Sequence, residues 1–144
     1  MKHWSDLNEK ERKQLLLYPA YISLLASTAE GGIDKKEKRA ALKLTHIKTF
    51  SSDPMLFDFY KAAEHEFEHD ITKLDRELPH NREGRKHAIE HELNKLDPVL
   101  RKLDMGYAFE LRSSMKSYKN YVSKAHHNIL EDFIFPLPVN GISD

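Results

Sequence analysis

The stretch that decides the fold reads Ala29-Glu30-Gly31-Gly32-Ile33-Asp34-Lys35-Lys36-Glu37, and it lies between an apolar run and an amphipathic run. Its two glycines favour a tight turn. Asp34 is a good N-cap residue, and Glu37 follows three residues later, which is the spacing of a capping box. The stretch therefore predicts a helix, a turn and a second helix. We call it the acidic corner, because Glu30, Asp34 and Glu37 place three carboxylates within eight residues.

The size and composition of the chain favour a small helical protein. Its 144 residues fit one domain that is long enough to bury a core. A hydrophobic content of 40% beside a charged content of 32% is typical of helices that bury one stripe and solvate the rest. We predict an all-α, single-domain bundle of about six or seven helices over residues 1–134, followed by an extended C-terminal tail over residues 135–144.

Apolar residues that recur at spacings of three and four define the predicted helices. Proline, glycine and capping residues set their ends. The predicted helices run from Ser5-Asp6 to about Leu17, from Pro19 to Ala29, from about Lys35 to Phe50, from about Pro54 to Leu78, from the break at Pro79-His80-Asn81 to Leu96, over a short stretch from Asp97-Pro98, and, after an interruption at Gly106, from about Tyr107 to Phe133.

Charge and cysteine content exclude several classes of protein. The formal net charge is zero, with no basic stripe, so we expect no nucleic-acid partner. The chain has no cysteine, which excludes disulfides, thiolate metal sites and cysteine nucleophiles. The N-terminus lacks the apolar region of a secretory signal, and the apolar run Leu15–Ala29 is too short to span a bilayer. We expect a cytoplasmic protein without an integral membrane segment, and its oligomeric state stays open.

Two pairs of histidines have the spacing of metal ligands. His65-Glu66-Phe67-Glu68-His69 matches the H-E-x-x-H motif, in which two histidines bind zinc and the glutamate acts as general base. The same five residues, and His87-Ala88-Ile89-Glu90-His91, also match the inverted motif H-x-x-E-H.

Helical geometry disfavours a buried metal centre at these motifs. At about 100° per residue, each histidine lies about 160° from the apolar residue in the middle of its motif. If the two helices form an antiparallel hairpin through their apolar stripes, both histidine pairs point away from the core. A metal-dependent enzyme or a carboxylate–histidine bundle that uses His65, His69, His87 and His91 remains the alternative hypothesis. A ferritin-like centre is not favoured, because one Glu-x-x-His pair, Glu66 with His69, is evident where two are needed.

The acidic corner also resembles the second half of a calcium-binding EF-hand loop. In that alignment the first ligand positions fall on Ala26 and Thr28, where a calcium loop needs oxygen ligands with negative charge. The sequence therefore does not predict an EF-hand. Capping of the following helix explains Asp34 and Glu37 without any ligand.

The segment from Tyr21 to Leu44 resembles the first helical hairpin of the tellurite-resistance TerB-like family. That family has an apolar helix that ends in Ala-Asp-Gly, a short loop, and an acid-rich start to the next helix. Ala29, Gly31 and Glu37 match this pattern, and Glu30 stands where the family usually has aspartate. A second acidic motif is not clear: Asp104-Met105-Gly106 is the nearest candidate, and Glu110 is out of step with it.

The resemblance implies a non-enzymatic, all-helical module linked to stress response. It implies contact with a protein partner, and it implies that acidic residues bind a divalent metal ion. Carried over by position, the candidate cation ligands are Glu30, Asp34 and Glu37. We expect no catalytic residue and no cofactor other than such a metal ion.

Overall fold

The computed structural model describes the backbone of residues 2–26 and 53–134 and the side chains of residues 2–26 and 53–120. Over these residues the chain is all-α and contains no strand, as predicted. The predicted helix from Lys35 to Phe50 and the tail over residues 135–144 lie outside them. The α-helices are α1 (Glu9–Leu16), α2 (Tyr18–Ala26), α3 (Phe57–Glu77), α4 (Arg82–Lys95), α5 (Asp97–Arg101) and α6 (Met105–Ile134), with 3-10 helices at Trp4–Asp6 and Pro54–Leu56.

Helix α2 is the centre of the structure. It packs against α3, α4 and α6, and every residue from Pro19 to Leu24 is buried. A helix that is apolar on all sides needs neighbours on all sides. The fully buried hydroxyl of Ser23 is satisfied: its Oγ donates to the carbonyl oxygen of Pro19 at 2.8 Å and lies 3.2 Å from Oη of Tyr118 in α6.

The apolar stripes of α3 and α6 face this centre. The sequence predicted both stripes from their three- and four-residue spacing, and the structure buries their members among the described side chains. The predicted members that are buried include Tyr60, Ala63, Phe67 and Ile71 in α3, and Leu111, Met115 and Tyr118 in α6; Tyr107, which was not predicted, extends the stripe of α6 by one turn. Tyr60 and Ser114 join the two helices by a hydrogen bond between their hydroxyl groups.

Two predicted helix starts are wrong, and capping geometry explains both. Asn8, not Ser5-Asp6, caps α1: its side chain accepts from the backbone N–H of Glu11, whose carboxylate accepts from the N–H of Asn8. Gly106 does not interrupt the chain before the last helix, because α6 already begins at Met105. The carboxylate of Asp104 accepts from the N–H of Tyr107 and so satisfies a donor in the first turn of α6.

A buried arginine closes the corner between α3 and α4. The carbonyl of Asp75 lacks its helical donor, because the residue four positions on is Pro79, which has no N–H. Arg85 supplies the donor: its Nη2 lies 2.8 Å from that carbonyl oxygen, and its Nη1 lies 3.0 Å from the Asp75 carboxylate. Its Nε also donates to the carbonyl of Pro79 at 2.9 Å. The side chain of Arg85 is therefore a structural element of the corner.

The N-terminal segment holds the starts of α3 and α6 at one end of the molecule. The His3 ring stacks on Tyr107 of α6 with centroids 4.6 Å apart, and the Trp4 ring meets Phe59 of α3 edge-on at 6.4 Å. The N–H of Asp104 also donates to the carbonyl of Lys2 at 2.8 Å. In residues 2–26 and 53–134, no helix has both the length and the apolar character of a membrane span.

Candidate functional site

The two histidine pairs lie on the outer faces of two different helices. His65 and His69 are exposed on α3, on either side of the buried Phe67, and His87 and His91 are exposed on α4, on either side of the buried Ile89. Both of these helices pack mainly against α2 and not, as the predicted hairpin requires, against each other. Four histidines around one ion would form a metal-binding group, and the described side chains contain none, so the pairs do not share a site.

Neither histidine pair forms a complete metal centre on its own. Among the side chains of residues 2–26 and 53–120, no group of three or more His, Cys, Asp or Glu residues is arranged to hold a metal ion. A catalytic zinc needs three protein ligands and an open position. Each pair offers two imidazoles one helical turn apart, which is a two-ligand chelate and not a zincin site.

A polar groove lies beside the first pair. It has a volume of about 700 Å³ and opens along the outer face of the second half of α3. We call it the α3 groove. The described residues that line it are His65, Glu68, His69, Thr72, Lys73, Arg76 and Glu77.

The charges around the α3 groove are unevenly distributed. The stretch 64–70 holds four carboxylates and neither lysine nor arginine, whereas Lys73 and Arg76 lie at the other end of the groove. Within the acidic half, His65 Nδ1 lies 3.3 Å from the Glu66 carboxylate. Burial raises the pKa of Asp70, and the Glu66 carboxylate raises it further, against the opposing effects of His69 and Lys73.

A second candidate site is a set of apolar side chains that are exposed to solvent. In the described part of the chain, the exposed large hydrophobic residues are Met55, Phe57, Met105 and Phe109, with 37%, 40%, 86% and 67% of their surface accessible. We call this set the apolar end. Its members lie at the starts of α3 and α6, which the N-terminal segment holds together and where the 3-10 helix Pro54–Leu56 contacts α6.

The apolar end was not predicted from the sequence, although Phe109 carries a signal for it. Phe109 is two residues from both Tyr107 and Leu111, so it lies about 200° around the helix from that buried stripe. A phenylalanine placed so far from the stripe is expected in solvent. That Met55 and Phe57 lie at the same end of the molecule follows from the contact of the 3-10 helix Pro54–Leu56 with α6, which is tertiary packing.

The acidic corner, with Glu30, Asp34 and Glu37, lies outside the residues that the structure describes. Its cation-binding role therefore stays a prediction. Comparison of the chain with protein-family models, with curated proteins and with solved structures found no match.

Proposed function

We propose that this chain is a non-enzymatic helical module that binds a protein partner through the apolar end. The observation that carries the proposal is the grouping of its exposed large hydrophobic side chains. In the described residues they are confined to the starts of α3 and α6 and are absent from the outer faces further along these helices. Grouped apolar residues on a water-exposed surface are typical of contact sites.

The residue types at the apolar end also suit a protein contact. Methionine and phenylalanine are both enriched where proteins meet, because they supply large apolar area and methionine adapts its shape. Phe57 already has a cation above its ring, since Lys61 Nζ lies 5.9 Å from the ring centroid. Met105 and Phe109 are one helical turn apart and offer a continuous apolar ridge.

Acidic residues flank the apolar end and indicate the chemistry of the partner. Asp58 follows Phe57, Asp104 precedes Met105, Glu110 follows Phe109, and Asp53 lies two residues before Met55. A complementary surface therefore has an apolar centre and a basic rim, as in an amphipathic segment rich in lysine or arginine. The same carboxylates disfavour a nucleic acid, whose phosphates they would repel.

The resemblance of residues 21–44 to the TerB-like family belongs to this proposal. It supports a bundle of about six or seven helices and a cytoplasmic module linked to stress response, on the strength of Ala29, Gly31 and Glu37. Weak binding of a divalent cation by Glu30, Asp34 and Glu37 is the second part of that proposal.

Site-specific photo-crosslinking tests the proposed contact. A photoreactive phenylalanine analogue replaces Phe109 in the full chain, in the cells that produce the protein. We expect discrete covalent adducts that are larger than the chain alone. Reversal of the flanking charges by Asp58→Lys and Glu110→Lys is expected to lower their yield at least fivefold, because these carboxylates face the basic rim of the partner.

The control places the same analogue at His80, in the turn after α3. His80 is exposed and lies about 30 Å from the apolar end, given the rise of 1.5 Å per residue along α3. Equal adducts at Phe109 and His80 would show nonspecific collision and would contradict the proposal. So would a crosslink from Phe109 to residues 27–52 of its own chain, because that segment would then cover the apolar end.

A further inference from the structure

We propose that His65 and His69 chelate one divalent transition-metal ion, of the zinc, nickel or copper class, on the outer face of α3. The inference concerns a site separate from the apolar end and does not depend on the proposed protein contact. It assigns metal binding to one of the two histidine pairs and leaves the other pair as a matched reference on the same molecule.

The spacing of the pair suits a chelate. Residues four apart on a helix have Cβ atoms about 5–6 Å apart on the same face, so that both imidazoles can reach one ion. Both side chains are exposed, and α3 continues for two turns beyond His69, so their spacing is fixed by the helix. Imidazole is a good ligand for zinc, nickel and copper and a poor one for magnesium or calcium.

The ring of His65 is oriented for such a role. Its Nδ1 faces the Glu66 carboxylate at 3.3 Å, which favours the tautomer that carries the proton on Nδ1. Nε2 then keeps its lone pair for an ion, on a side chain that is largely exposed. A carboxylate behind the ligating histidine is the usual second partner of a protein metal ligand, because it orients the ring and raises its basicity.

Local charge separates this pair from the pair on α4. The stretch 64–70 contains Glu64, Glu66, Glu68 and Asp70 and neither lysine nor arginine. The equivalent stretch around the second pair, 86–92, contains two carboxylates and Lys86, directly before His87. A cation is therefore attracted more strongly to His65 and His69, although both pairs have the same spacing and are exposed.

The α3 groove leaves space for the other ligands of the ion. Zinc in proteins takes four ligands, and the pair supplies two of them. The groove beside the pair has a volume of about 700 Å³, enough for several water molecules, and Glu68 lines it between the two histidines. The site proposed here binds the ion and leaves coordination positions open to solvent.

Titration of the purified full chain with zinc sulfate at pH 7.5, followed by calorimetry, tests the assignment. Neutral pH matters because imidazole must be deprotonated to bind a metal. We expect one zinc per chain. His65→Ala/His69→Ala is expected to weaken its binding at least tenfold, because it removes both imidazole ligands of the two-point chelate. The matched control His87→Ala/His91→Ala is expected to change the affinity less than threefold.

A second control addresses the acidic corner. Glu30→Gln/Glu37→Gln is expected to leave the zinc affinity of the chain unchanged within threefold. Loss of the site in this variant, or in His87→Ala/His91→Ala, with retention in His65→Ala/His69→Ala, would assign the ion elsewhere and overturn the proposal. No binding of zinc by the unmodified chain would also overturn it. Circular dichroism of each variant confirms that the exposed substitutions leave the helices intact.

Discussion

Arg85 is the residue on which the corner between α3 and α4 depends. It has no exposed surface, and it donates to the Asp75 carboxylate, to the Asp75 carbonyl and to the Pro79 carbonyl. The carbonyl of Asp75 needs this donor because proline has removed the backbone one. The three nitrogens of the guanidinium donate to three separate acceptors, which the single nitrogen of a lysine cannot reach together.

We expect Arg85→Met to lower the free energy of unfolding by about 3 kcal/mol, as is usual when one partner of a buried charged pair is removed. The Asp75 carboxylate keeps partial access to water, which limits the loss. Arg85→Lys is expected to lose less, because it keeps one charged donor. Urea denaturation measures both values. A loss below about 0.5 kcal/mol, the usual range of a surface substitution, in the methionine variant would show that the corner does not need this side chain.

Helix α4 shows how a cap and a glycine depend on each other. Asn81 caps the helix by accepting from the N–H of Gly84 at 2.6 Å. A Cβ added at Gly84 would lie 2.8 Å from Oδ1 and 2.9 Å from Nδ2 of Asn81, closer than real contacts allow. The glycine is therefore needed for the position of the cap, although glycine within a helix normally costs stability.

A double-mutant cycle tests this coupling. Asn81→Ala alone is expected to cost about 1 kcal/mol through loss of the cap. Gly84→Ala is expected to stabilise by about 0.5–1 kcal/mol in the Asn81→Ala background and to give no gain in the original chain, because there it displaces the cap. Thermal or urea unfolding of the four proteins gives the coupling energy. Additive effects would contradict the proposed clash.

At the scale of the whole molecule, packing decides how the protein responds to alkali. Burial raises the pKa of Tyr21 to about 12, and the carboxylates of Glu92, Glu77 and Asp70 add to the effect. Burial likewise raises the pKa of Tyr107 to about 12, where Asp58 adds to it and a hydrogen bond from the Trp4 backbone opposes it. Both tyrosines belong to the buried core, and the His3 ring of the N-terminal segment stacks on Tyr107.

The raised pKa values of Tyr21 and Tyr107 predict a loss of stability between pH 10 and pH 12. The unfolded chain releases the phenolic protons near pH 10, before the folded chain does. The stability that the two protonated phenols contribute is therefore fully present below pH 10 and is lost as the pH rises through 12. At pH 11 the loss is about 1 kcal/mol for each tyrosine. Melting temperatures at pH 8 and pH 11 measure it. Tyr21→Phe or Tyr107→Phe is expected to reduce the difference, and an unchanged difference in both variants would contradict the assignment.

The sequence by itself determined the helices and the direction in which several of them face. The spacing in α3 and α6 predicted their buried stripes, and the angle from Phe67 and Ile89 predicted that both histidine pairs lie outside. Such features are local, because a helix carries its own period and the apolar face follows from it. The burial of Arg85 could be predicted in the same way, because it lies four residues before Ile89 on the same helix face. Its hydrogen-bond partners could not.

Only the tertiary structure decided which surfaces meet. Helix α2 is apolar on every side, so its sequence gives no direction, and its place between α3, α4 and α6 depends on what surrounds it. The same packing brings Met55 and Phe57 to the end that holds Met105 and Phe109, about 50 residues further along the chain. A periodic pattern shows which face of a helix is apolar. Whether another element covers that face or it stays exposed to solvent, and which element covers it, depends on the tertiary fold.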